Sequence, residues 1–195
     1  MNVRTKSFKS FIALALLSVA CGGAYWYVGY VVSVAEQSIP AADYQEIPWE
    51  ALIPESWNPQ EVFTDLDLGN LPASDGDPRV EKAYDEFIKE WARAPVNEKM
   101  AGRRIKIPAF VVPLDWENDT ELRELLLVPY FGACIHSPPP PANQIIHVRL
   151  KKPLGGLRAM DAVWAYGTIS VEKNDYGVLG SSGYGMTVDK IEPYQ

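Results

Sequence analysis

The sequence predicts a mainly β domain of the α+β kind: an OB-like five-stranded barrel preceded by one amphipathic helix and an N-terminal transmembrane anchor. Three observations predict it. From Gly102 onward the apolar spacing changes from a period of 3.6 to about 2, or to short apolar runs. Turn-forming residues then recur at the intervals of a small β domain, and five short strands escape exposed edges best by closing on themselves. Finally, Phe11 to Ala35 carries no charge and follows Arg4, Lys6 and Lys9.

That first stretch sets the organisation. From Phe11 to Gly29 the rise of a helix spans the ~30 Å hydrocarbon layer, and Tyr25, Trp26, Tyr27 and Tyr30 fall where an aromatic belt would sit. The preceding basic residues predict a cytoplasmic N-terminus in a bacterial inner membrane and a periplasmic domain. The competing reading is a cleaved signal with lipidation of Cys21, since Ser18-Val19-Ala20-Cys21 is an imperfect lipoprotein box. Either reading tethers the domain to a membrane. The expected organisation is an anchor at 1–35, an acidic spacer at 36–78, and the helix with its barrel at 79–195.

Between Ser10 and Pro78 there is no Lys or Arg but ten acids, while fifteen basic and fifteen acidic residues cancel from Arg79 onward. Such a chain repels nucleic-acid phosphates, so nucleic-acid binding is excluded. The acidic stretch reads as a self-repelling spacer, interrupted by Ile47 to Trp57, whose aliphatics and two tryptophans can dock as a short helical turn. A breaker-rich loop, Leu68 to Pro78, follows. In the next helix Asp77 caps, Pro78 takes the first position, and Val80, Tyr84, Phe87, Ile88 and Trp91 form one apolar stripe.

The expected strands are Arg104 to Leu114, Leu122 to Tyr130, Gln144 to Leu150, Ala162 to Val171 and Tyr184 to Ile191. Pro108 and Pro113 mark the first as an edge or bulged strand. Turns are expected at Asn118-Asp119, Pro153 to Gly156 and Lys173 to Gly177.

From Trp49 to Tyr194 the chain resembles an uncharacterised family of bacterial exported proteins, membrane-anchored or lipoprotein-like. The resemblance is carried by Gly102-Arg-Arg-Ile-Lys-Ile-Pro-Ala-Phe-Val-Val-Pro-Leu114 and by Val128-Pro-Tyr-Phe-Gly-Ala-Cys-Ile-His-Ser-Pro-Pro-Pro-Pro-Ala-Asn-Gln144. It implies an OB-type domain outside the inner membrane, associated with ABC-type export systems or metal-responsive loci. It implies no established activity.

The second segment holds the chemistry-bearing residues. Cys134, His136 and His147 offer one thiolate and two imidazoles, a donor set for Zn²⁺ or copper with a position left open. On strand parity His147 shares a face with Ile145 and Arg149, opposite Ile146 and Val148, and so is available to a site. A second reading makes the loop a partner-binding element, in which Tyr130, Phe131, Pro138, Pro139, Pro140, Pro141 and Asn143 form a stiff protruding contact with little entropy to lose. A third is purely structural, with Cys134 as a small core hydrophobe and the prolines as a brace. A thiol enzyme has the right elements in Cys134 and a nearby imidazole, but the exported part offers no second cysteine, and no catalytic residue is assigned.

Overall fold

The computed structural model describes residues 43–66, 77–117, 120–134 and 138–194. The expected anchor, Cys21, the Asn118-Asp119 turn and His136 lie outside them. Among the described residues no helix is long and apolar enough to cross a membrane.

Residues from Asp43 onward form one compact unit. In chain order it contains a short strand β1 (Gln45–Glu46), helices α1 (Pro59–Asp65) and α2 (Pro78–Ala92), and strands β2 (Arg104–Glu117), β3 (Glu121–Val128), β4 (Ile146–Gly155), β5 (Ala162–Asp175) and β6 (Ser181–Pro193). Strands β2 to β6 make one sheet in the order β2-β3-β4-β6-β5, and β2 pairs again with β5 to close the barrel. All these pairs are antiparallel except β4 with β6.

Alternation along the strands fills the barrel. Ile105, Ile107, Leu125, Leu127, Ile146, Val148, Val163, Ala165, Ile169, Tyr184 and Met186 point inward and form the main core. Strand β3 is the exception, because Leu125, Leu126, Leu127 and Val128 are all buried. Its outer face is covered too, by a second cluster in which Leu126, Val112 and Val128 meet Ala133, Cys134 and Ile145 of the β3–β4 connection. An unbroken apolar run is what a strand covered on both faces requires.

The five expected strands are present but longer at their polar ends. Pro153 to Gly155 belong to β4 and Lys173 to Asp175 to β5, the true turn of the latter hairpin being Tyr176 to Gly180. Pro153 is tolerated because β4 pairs with β6 only at Ile146, His147 and Val148, leaving that edge of the strand unpaired farther along. Strand β2 is bulged after Pro113 as expected, but it is no edge. Its first half pairs with β5 and its second with β3, while Glu46 and Gln45 of β1 add a parallel pair on the other side.

The expected 36–78 spacer needs correction over 43–53, which is part of the barrel unit. Ile47, Trp49 and Leu52 are buried in the main core beside Val96 and Met100 from the connection after α2. The Trp49 indole donates to the Pro108 carbonyl at 2.6 Å, a β2 acceptor. Asp43 and Glu46 pair with Arg104 and Lys106 at 3.3 and 3.2 Å, so they are not mere spacer charges. Helix α1 was not expected from the sequence, although Asn58 caps it and Pro59 opens it. Helix α2 follows its expected cap, with Asp77 accepting from the Arg79 amide. Its buried stripe centres on Ala83 and Phe87, and Tyr84 is 49% exposed. The shift follows from the partner: α2 packs on α1, where Phe63 meets Phe87 and Trp91, and Trp57 meets Trp91.

Candidate functional site

The β3–β4 connection has an outward part and an inward part. Past Val128 the chain turns through Gly132 and Cys134, both at positive φ (84° and 65°), the second unusual for a residue with a side chain. The Gly132 amide donates to Met160 Sδ at 3.2 Å. The Phe131 ring stands edge-on to Phe110, with centroids 5.9 Å apart. Tyr130 and Phe131 remain 44% and 68% exposed.

The rest of the loop turns inward. Pro138 is exposed, Pro139 and Pro141 are half-buried, and Pro140 is buried. Pro139 comes so close to Gly180 that a Cβ there would lie 2.6 Å from the ring, and Gly180 is itself at φ 94°. Asn143 is fully buried and donates to the Pro95 carbonyl at 2.8 Å. Gln144 donates from its side chain to the Trp49 carbonyl at 2.9 Å and from its backbone to Pro141 at 2.7 Å. Pro140 and Asn143 therefore act as clamps rather than as the protruding contact expected of them.

Cys134 is buried in the outer cluster, and burial pushes its thiol up to about 11. A thiol so held is protonated at neutral pH, the wrong state for a nucleophile. His147 keeps its expected face but is not open. It is 7% exposed, flanked in register by Leu126 and Gly185, with the Tyr176 ring 5.4 Å away. Parity set its face correctly; the loop and Tyr176 cover that face. Its Nε2 lies 2.5 Å from Glu124 Oε1, which also accepts from Arg149 at 3.2 Å. An ionised carboxylate only accepts, so Nε2 carries the proton. Among the described residues no three His, Cys, Asp or Glu side chains are gathered so as to hold a metal ion.

Sequence reasoning missed Glu124. Strand pairing brings it opposite Arg149 and diagonal to His147, but only through a register shift between Leu122 and Glu124 that residue types do not announce. Burial opposes its ionisation, and the hydrogen bonds and charges of His147 and Arg149 outweigh that, holding the carboxyl below its ordinary range.

Comparison with known proteins adds the relatives. A family model described as "Protein of unknown function (DUF3299)" matches residues 49–193. The crystal structure of a DUF3299 family protein from Pseudomonas aeruginosa PAO1 is similar, at 32% identity and a TM-score of 0.59, over 78% of this chain and 97% of that one. No curated protein matches.

A lowered folded-state pKa at Glu124 stabilises the fold above the ordinary carboxyl range, and that contribution disappears as pH falls through the folded value. Denaturant unfolding measured across acidic and neutral pH should show Glu124→Gln losing stability relative to wild type at neutral pH, with the gap closing on acidification. A gap independent of pH would contradict the ionised Glu124–His147–Arg149 arrangement.

Proposed function

We propose that this chain, which belongs to the DUF3299 family of proteins of unknown function, is a membrane-tethered accessory module that works outside the cytoplasm and binds a protein partner through its signature loop. The barrel is of OB kind on this reading, supported by the strand order with its one parallel pair between β4 and β6. The tether is supported by the basic residues before the Phe11 to Ala35 run. A component of an ABC-type export system is the partner that the sequence resemblance implies.

The observation that carries the reading is Phe131, 68% exposed on a backbone whose two flanks are fixed. The turn before it rests on Met160 and Phe110, and the chain after it is clamped by Asn143 and Gln144. A mobile loop would lose entropy on binding, whereas a fixed aromatic anchor does not. With a photo-reactive phenylalanine analogue at 131 in intact cells, irradiation should give one discrete protein adduct. The same analogue at Tyr84, exposed on α2, should give none. Equal labelling from both positions, or none from 131, would overturn the partner reading.

A second reading, Zn²⁺ or copper bound by Cys134, His136 and His147, is favoured by one observation. Glu124 holds His147 through Nε2, and carboxylate support of this kind orients imidazoles that ligate metals through the other nitrogen. The ion would have to displace the proton that burial holds on Cys134. If it binds, added metal should raise the melting temperature of wild type and chelator should reverse it, while His147→Gln should melt identically in both. Identical wild-type melting with metal and with chelator would dismiss the site.

A further inference from the structure

The outer face of β2, β5 and β6 is built differently from the rest of the surface. Register places Lys106, Tyr166 and Lys190 in one row and Pro108, Trp164 and Glu192 in the next. The Lys106 ammonium lies 3.8 Å from the Trp164 ring centroid, and Tyr194 packs on the same indole at 5.0 Å. Arg104 covers Tyr44 at 4.5 Å, and Tyr44 stands edge-on to Tyr166 at 5.4 Å. Between the rings a recess of about 300 Å³ is lined by Lys106, Trp164, Tyr166, Glu192 and Pro193. Tyr194 is 52% exposed.

We propose that this face seats the barrel on the headgroup layer of a phospholipid bilayer. Tyr and Trp rings between long cationic side chains are the composition of the membrane–water interface, where the ring lies among acyl carbons and the ammonium reaches the phosphate. Position singles out the same face. The chain enters the barrel unit at Asp43, whose carboxylate pairs with Arg104 beside Tyr44. The apolar run ends at Ala35. Eight residues of fully extended chain reach at most about 30 Å, so on the tether reading, on which this inference rests, this is the face held nearest the lipid. Charge narrows the surface further. Three cations, Arg104, Lys106 and Lys190, stand among four acids, Asp43, Glu46, Asp189 and Glu192, each paired within the face. A patch without excess positive charge suits zwitterionic headgroups rather than an anionic surface. Phe110 continues the outward row of β2 from Pro108 to Phe131, so a barrel seated this way presents Phe131 beside the bilayer, to a partner embedded in it.

The test uses the full chain, labelled with 5-fluorotryptophan and reconstituted in phosphatidylcholine vesicles containing a lipid with a paramagnetic headgroup. Trp26 lies in the expected anchor, Trp164 in the proposed face and Trp116 at the far end of β2; phenylalanine substitutions assign their fluorine signals. The expected result is strong broadening of Trp26 and Trp164, with Trp164 broadened several-fold more than Trp116, at low and at high salt. Broadening of Trp26 without Trp164, or of Trp164 and Trp116 alike, overturns the seating and leaves the tether standing. If Trp26 is unaffected the tether reading fails, and Trp164 then decides alone: selective broadening keeps the face as a membrane surface, and its absence overturns both. Broadening that appears only on anionic vesicles and vanishes in high salt indicates charge capture and also overturns it.

Discussion

One end of this barrel is closed by chain that has almost no regular structure, and that closure is the constraint on which the remainder depends. Ile47, Trp49, Leu52, Val96 and Met100 bring two irregular segments into the main core. Their backbone groups leave water without a ladder to join, and a buried carbonyl or amide left unpaired costs about 1–3 kcal/mol. Side chains supply the partners. The Tyr184 hydroxyl donates to the Leu52 carbonyl and accepts from the Asn97 amide, both at 2.6 Å. Asn97 donates to Ala51 at 2.9 Å, Gln144 to Trp49 and Asn143 to Pro95. Burial pushes the Tyr184 hydroxyl up to about 12, so it stays protonated and able to donate.

Seen from this closure, the signature segment has a structural role before any other. Its Pro-Ala-Asn-Gln end reaches across from β4 to hold the N-terminal arm and the connection after α2, and its Cys134 end plugs the outer cluster over β3. Only the Tyr130–Phe131 turn is left outside. The same loop thus stabilises the barrel and presents two aromatic rings, and rigidity in one role is a precondition of the other.

Much of the fold was legible in the residues because period and breakers report local structure directly. Five strands and the capped helix α2 followed from them. The arm at 43–53 was not, since its acids suggested a solvated spacer; nothing local reveals that Asp43 and Glu46 meet Arg104 and Lys106, or that Trp49 and Leu52 enter a distant core. The site was legible in part for the same reason. Parity placed His147 on its correct face, but parity reports direction and not cover, and the cover comes from Tyr176, some thirty residues on. Asn143 looked like a surface contact because a polar residue after four prolines usually is one. Here its amide is consumed by a carbonyl 48 positions earlier in the chain.

The most direct test of this account is amide hydrogen exchange at Asn97 and Gln144, resolved by residue. If side-chain clamps hold the arm and the loop, both amides should exchange as slowly as those of β3, and Tyr184→Phe should speed Asn97 while leaving β3 slow. Exchange at Asn97 and Gln144 as fast as at Val178, the 91% exposed tip of the β5–β6 turn, would contradict it.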